Sequence, residues 1–397
     1  MAAAPMASLR ERVALPPQTI DWVARAKAVL PVVSAAAAKI DSTQRLTPEV
    51  LEALHQAQMF RLLVPWEQGG HQVDPATFVS MIETIATADA STAWILSQCS
   101  ICSMAVAYLP YGAGREIVGD DPAAVLAWGA LPNGKAVREG DGWRISGHWF
   151  FASGSRHATW MGGRCPLFSA DGQPILDDKG NSAVRMFLFP KSQANIKESW
   201  DVIGLRGTGS DSYSVTDLWV PDDRQFDVNI QAGHPGVLYG IVNRHLFGPG
   251  VGAVALGVAR AMLDALLAVA ADEKKGLKTS AAVQSQLGFA EARWRSVRTF
   301  LYQALGDMWR DLKAGKPESV EHQINVRCAS TLAIHEAKSI VDFTYHEAGA
   351  AAILDALPFE RRVRDMAAIL QHGQSKRTNM ETVGKYMLGM DTGPLIL

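Results

Sequence analysis

From Thr19 to about Leu109 the apolar positions recur at helical spacing, with Ile20, Val23, Ala24 and Ala28 on one face. Thr47-Pro48-Glu49 reads as an N-cap with Pro at the first helical position, ahead of Val50, Leu51 and Leu54, and Asp74-Pro75 opens the next helix in the same way. Between about Val125 and Val220 the texture changes to short β-type runs, at Val125–Leu131, Trp143–Ala152, Ala158–Arg164, Val184–Phe189 and Tyr213–Val220. Turn clusters such as Glu139-Gly140-Asp141-Gly142 separate them. Helical patterning returns from about Leu246 to Leu388, enough for about four or five helices. The order predicts an α+β chain: a helical domain over 1–122, an antiparallel β domain over 123–235 and a helical bundle over 236–397.

At 397 residues the chain exceeds the size at which one core usually stops growing, which agrees with several packed units. Lys plus Arg number 38 against 40 Asp plus Glu, so no charge excess attracts nucleic acid or anionic lipid. Met1–Pro17 has no apolar core of signal-peptide length, which predicts a protein that stays in the cytoplasm. The most apolar stretch, Val251–Ala271, carries Arg260 and Asp264 and reads as a buried amphipathic helix rather than a membrane span. Four cysteines, Cys99, Cys102, Cys165 and Cys328, are too few for a disulfide framework. Cys99 and Cys102 have CxxC spacing, but they sit in a helical pattern without a second Cys pair or a His cluster, so two packed thiols fit better than a metal site.

Candidate chemistry concentrates in Gly142–Ser155 and in Leu205-Arg206-Gly207-Thr208-Gly209-Ser210. Strand alternation places Trp143, Ile145, Trp149, Phe151 and Ser153 on one face, an aromatic wall ending in a hydroxyl. Such a wall suits a flat, apolar ligand with one hydrogen-bonding edge, as a flavin ring has. The same pattern also fits an ordinary packed strand whose Ser153 starts the turn at Gly154.

Trp149-Phe150-Phe151-Ala152-Ser153-Gly154, followed by Ile203–Ser210 ahead of Leu218-Trp219-Val220-Pro221, and then Arg364-Asp365 and Gln371-His372, resembles the acyl-CoA dehydrogenase superfamily over nearly the whole chain. Within it the chain is most similar to the flavin-dependent monooxygenases, the oxygenase components of two-component aromatic and indole hydroxylases. The resemblance implies a domain order of helices, β unit and helical bundle, and a homotetramer built through the C-terminal helices. It implies reduced FMN or FADH2 as cofactor, O2 as co-substrate and a small aromatic substrate. It places Ser153 by the flavin as a catalytic residue, with Phe151, Trp128, Ala130, Trp200, Thr208 and Ser210 in the cofactor site. From its charge Arg206 could neutralise the flavin, orient the loop or pair with Asp201, and Arg293 or Arg295 could reach a flavin phosphate from its own or a neighbouring subunit; the resemblance places Trp94, Cys102 and His372 at the substrate, with His372 also catalytic.

The departures are as informative. The dehydrogenases' glutamate base has no counterpart in Leu354–Glu360, and their Arg-x-x-Phe-Gly diphosphate motif is replaced by Ala271–Leu277. An acyl-CoA dehydrogenase is therefore the second reading, and a catalytically silent protein of the same fold the third. Cys102 falls where many phenol hydroxylases carry a histidine, which favours an indole, or a substrate deprotonated by His372. The implied chemistry is oxygen transfer from a C4a-hydroperoxyflavin, for which the protein must exclude water and supply a hydrogen bond at the ring. His372 would exchange a proton near neutral pH. No Gly-x-Gly-x-x-Gly follows a strand, so the expectation is a separate NAD(P)H-dependent flavin reductase.

Overall fold

A computed structural model describes residues 20–119, 121–273 and 276–393. The expectation for Met1–Pro17 lies outside the described residues. The N-terminal helices are α1 (Trp22–Thr43), α2 (Pro48–Gln56), α3 (Pro75–Ala86), α4 (Ala90–Ser103) and α5 (Tyr111–Val118). Their starts follow from local capping: Thr47 Oγ1 accepts from the Val50 N–H, and Asp74 Oδ1 from those of Ala76 and Thr77.

The β unit follows, as β1 (Leu126–Trp128), β2 (Gly134–Glu139), β3 (Gly142–Ala152), β4 (Trp160–Phe168), β5 (Val184–Pro190), β6 (Asn195–Lys197), β7 (Asp211–Pro221) and β8 (Gln225–Phe226). The strand order is β6-β7-β3-β2-β4-β5-β8, with β1 paired to β4. The sheet is not wholly antiparallel as expected: β1 and β2 both run parallel to β4. β2 itself was hidden in the sequence because Gly134–Glu139 is polar and half exposed.

The C-terminal helices are α6 (Phe247–Ala270), α7 (Ala281–Lys313), α8 (Val320–Ala348), α9 (Phe359–Ile369) and α10 (Thr378–Met387). α6 is central, packed against α8, α3 and α4. Two stretches, Ala90–Tyr108 and Asn243–Ala270, are long and apolar enough to cross a membrane, but both lie mostly inside the fold. Arg260, which interrupts the apolar run of α6, pairs with Asp264 and Glu291. Cys99, Cys102, Cys165 and Cys328 are all free thiols. Among the described residues no cluster of His, Cys, Asp or Glu could hold a metal ion.

Candidate active site

The alternation predicted for β3 holds for Trp143, Ile145 and Trp149, which are buried, and then fails. A β-bulge against β7 falls between Trp149 and Ala152. There Phe151 takes φ +62°, so Ala152 turns into the core and Phe151 turns out, 68% exposed. Trp149 is therefore no part of the wall. It is fully buried behind it, donating from Nε1 to the Arg164 carbonyl and stacking on Tyr213. A left-handed conformation at a bulky residue costs roughly 1–3 kcal/mol, and such strain concentrates at functional sites. Here it presents an aromatic ring, edge-on to Trp200 at 6.1 Å, beside a half-buried Ser153.

Trp200 is placed by its neighbours. Asp211, fully buried and paired with Arg156 at 2.7 Å, accepts the backbone N–H groups of Ser199 and Trp200. The Trp200 indole N–H donates to the Leu205 carbonyl at 2.9 Å. Leu205 is in turn anchored from α9, its N–H donating to Asp365 Oδ1 at 2.6 Å. Gly204 is obligatory in this contact, since a Cβ there would meet the Arg364 carbonyl at 1.9 Å. Burial and the nearby Asp89 push the Asp365 carboxyl up to about 7. Asp211 was not singled out from the sequence, and Asp365 stood there only within the Arg364-Asp365 pair, without a role.

Ser153 Oγ is the end of a hydroxyl chain. It accepts from Trp94 Nε1 at 2.9 Å and lies 2.7 Å from Ser210 Oγ; Ser210 Oγ lies 2.8 Å from Thr208 Oγ1, and Thr208 can donate to the Leu205 carbonyl at 2.8 Å. Two proton arrangements satisfy this chain. With Thr208 donating to Leu205, every hydroxyl hydrogen points away from Ser153, and Ser153 offers a lone pair to the site. With the chain reversed, Ser153 accepts from both Trp94 and Ser210, and its own hydrogen is free. A ring nitrogen that is an acceptor in one redox state and an N–H in another is served in both. The exposed Phe151, the Trp200 edge and this two-way hydroxyl fit a flavin ring. Gly154, at φ +79°, lets the turn close against α4, where a Cβ would lie 2.5 Å from Cys99 Sγ.

The third wall comes from the C-terminal segment. The His372 ring meets Trp94 edge-on at 5.2 Å, so one indole touches both Ser153 and His372. His372 Nδ1 accepts from the Gln374 N–H, which leaves the proton of the neutral ring on Nε2. Burial pulls its pKa down to about 4. The sequence led to an expectation of proton exchange near neutral pH; a ring held neutral by burial would instead offer Nε2–H as a donor.

His71 and His157 are likewise lowered to about 4, chiefly by burial. Histidines in the unfolded chain titrate near 6.5, so the unfolded state takes up protons first as pH falls. The stability contributed by these rings is complete above about pH 6.5 and is lost as the pH falls toward 4. Asp365, raised to about 7, runs the other way, its contribution fading as the pH rises through 7. A melting temperature that drops between pH 6.5 and 4, with a shallower drop in His372→Gln, is the expected result. An identical slope in wild type and variant would show that His372 titrates normally.

The remaining predicted residues are placed less directly. The Trp128 indole is 8% exposed, packed over Gly162 and against Phe226, because β1 lies flat on β4. The Gly129 N–H is taken by the Tyr213 hydroxyl, while Ala130 is exposed and its carbonyl accepts from Arg164. Cys102 is 4% exposed, with burial raising its thiol pKa, so it backs the site rather than lining it. Arg206 is turned away to α1, bonded to the carbonyls of Asp41 and Val202. Arg293 lies on α7 beside Glu336, outside the residues gathered around Ser153.

The acyl-CoA dehydrogenase N-terminal domain family matches residues 25–112, and the acyl-CoA dehydrogenase C-terminal domain family matches residues 250–377. The chain belongs to the acyl-CoA dehydrogenase superfamily. Within the superfamily it falls among the flavin-dependent monooxygenases. It is 29% identical over 364 residues to an indole-3-acetate monooxygenase of Pseudomonas putida, covering 90% of each chain. It is 27% identical over 363 residues to the flavin-dependent monooxygenase oxygenase subunit HsaA of Rhodococcus jostii, covering 87% of this chain and 92% of that one. The crystal structure of the HsaA monooxygenase from Mycobacterium tuberculosis superposes with a TM-score of 0.86 at 25% identity, over 93% of this chain and 99% of that one. These matches support the monooxygenase reading over the dehydrogenase one. The site agrees: among the described residues no carboxylate contacts Ser153, Trp94 or His372, and Glu360 is committed to Arg364 at 2.7 Å.

Proposed function

We propose that this monooxygenase is the oxygenase component of a two-component system that hydroxylates an aromatic or indolic small molecule. The observation that carries the reading is the junction of Ser153, Trp94 and His372, drawn from three separate segments, beside the outward-turned Phe151. Reduced FMN or FADH2, when bound, supplies the electrons and with O2 the electrophilic oxygen. Phe151 and Trp200 would hold the ring, and Ser153 would hydrogen-bond its edge. Trp94 fixes the Ser153 oxygen, and Ser210 and Thr208 set which way its proton points. His372, kept neutral, would offer Nε2–H to the substrate without adding a charge to a dry pocket.

Electrons reach the flavin from a separate reductase on this reading, as the relatives' designation as oxygenase subunits suggests. A homotetramer and a cytoplasmic location belong to the same proposal. Exposed Phe289, over a groove that α7 and α8 line with Ala290, Ile340 and Phe343, supports the first, and the free cysteines support the second.

The test is anaerobic mixing of the protein with reduced FMN, and separately with FADH2, followed by admission of oxygen under stopped-flow absorbance. Flavin oxidation slower than in free solution, with hydroxylated product when an indole is present, is expected. Oxidation at the protein-free rate, together with bleaching of bound FAD by an acyl thioester, would move the assignment to the dehydrogenases.

A further inference from the structure

α4 runs through the interior, packed against α3, α6, β1, α9 and the Arg206–Thr208 turn. Every residue of this helix is buried except Gln98, which is half-buried. A helix enclosed in this way has no outer face, so the opening at Gln98 is a gap inside the fold. Gln98 Nε2 itself is buried and has no hydrogen-bond partner among the described residues. Buried amide N–H groups are almost always bonded, and leaving one unmade is costly, so this donor is completed by something that enters the gap.

The chain neighbours of Gln98 fix where the gap lies. Successive helical residues are rotated by roughly 100°, so Ser97 and Cys99 point to either side of it. Ser97 faces α6, where a Cβ on Gly250 would collide with its Oγ, and Cys99 faces the Ser153 turn, where a Cβ on Gly154 would collide with its Sγ. Gln98 projects between α6 and that turn. One helical turn earlier on the same face is Trp94, bonded to Ser153 and edge-on to His372. One turn later is Cys102, 4% exposed, its thiol against the Trp128 backbone. The polar group that this face offers to the site is therefore Gln98, ahead of the cysteine that the resemblance placed at the substrate.

We propose that Gln98 is a specificity-determining residue of this oxygenase, its side-chain N–H donating to an uncharged acceptor atom on the aromatic substrate. The inference rests on the oxygenase reading and deepens it. A carboxamide is neutral, so it adds no charge to the cleft it shares with His372 and supplies a directional hydrogen bond instead. With the acceptor held one helical turn from Trp94, the ring is oriented as well as bound. An analogue lacking the acceptor leaves the N–H unpaired in the complex, which is the condition under which a polar site rejects an apolar look-alike.

The experiment uses the full chain with reduced FMN under anaerobic conditions, and pairs of aromatics of one shape that differ by a single acceptor: quinoline against naphthalene, and acetophenone against α-methylstyrene. Binding is measured by equilibrium dialysis on the wild type, Gln98→Leu and Gln98→Met. The affinity ratio of polar to apolar member is expected to be about 10-fold higher in the wild type than in either variant for at least one pair, the scale of one neutral hydrogen bond. Without ligand both variants are expected to melt no lower than the wild type, because they remove a buried donor that has no partner. A ratio that is the same in all three proteins for both pairs would overturn the inference, and so would a lower melting temperature in both variants, which would show an N–H already bonded within the fold. If the variants instead lose affinity for reduced FMN in the absence of any aromatic, with the ratios unchanged, the N–H belongs to the flavin and the inference falls. The oxygenase reading fails separately, by flavin oxidation at the protein-free rate in the wild type.

Discussion

Ser153→Ala is expected to lower hydroxylated product per reduced flavin consumed by about 100-fold, the scale seen when one preorganised donor is removed from a reacting centre. Hydrogen peroxide should make up the balance. Ser153 Oγ is the hydroxyl carried by the turn next to the outward-turned Phe151, while Ser210 and Thr208 stand behind it and are buried. Its removal also strands the Trp94 indole N–H, which costs about 1–3 kcal/mol when a buried donor loses its partner. A modest fall in melting temperature should therefore accompany the loss of coupling. Ser153→Thr keeps the oxygen and is expected to recover most of the product yield, which a purely structural role would not explain. Peroxide is quantified with and without substrate. Unchanged coupling in Ser153→Ala, alongside the same fall in stability, would reduce Ser153 to a packing residue.

What could be read from the sequence was local or periodic. The helix starts at Thr47 and Asp74 depend on a cap three residues or fewer away, and the buried face of β3 through Trp149 depends on period-two alternation. The resemblance then supplied Ser153, Trp94 and His372, and the fold brings these side chains together. What escaped was set by tertiary context. The bulge that turns Phe151 outward is a property of the β3–β7 register, which no run of residues within β3 announces. Arg206 has the charge for a flavin, but its guanidinium donates to the carbonyls of Asp41 and Val202. Asp211 and Asp365 act by fixing backbone N–H groups, a role that even the Arg364-Asp365 pair did not reveal. His372 could not be known to be neutral, because its low pKa comes from burial rather than from a neighbouring residue.

Trp94 is where the site should prove most sensitive to a substitution at neither proposed catalytic residue. Its ring is 6% exposed and fills the space between the Ser153 turn and His372, so Trp94→Ala is expected to cost about 3–5 kcal/mol of stability, the range for emptying a large aromatic from a core. Trp94→Phe separates packing from hydrogen bonding: it keeps the edge contact with His372 but deletes the N–H to Ser153. Without that donor the Ser153 hydroxyl loses its fixed acceptor bond, and its rotor is set by Ser210 alone. A loss of roughly one hydrogen bond of orientation energy corresponds to about a tenfold fall in product per reduced flavin. Because the effect passes through Ser153, it should vanish in the double variant, with Trp94→Phe/Ser153→Ala no worse than Ser153→Ala. The cycle is read from peroxide and product measured on all four proteins. Two losses that simply multiply would place the action of Trp94 on His372 instead, and the indole would then position the substrate side of the site rather than the flavin side.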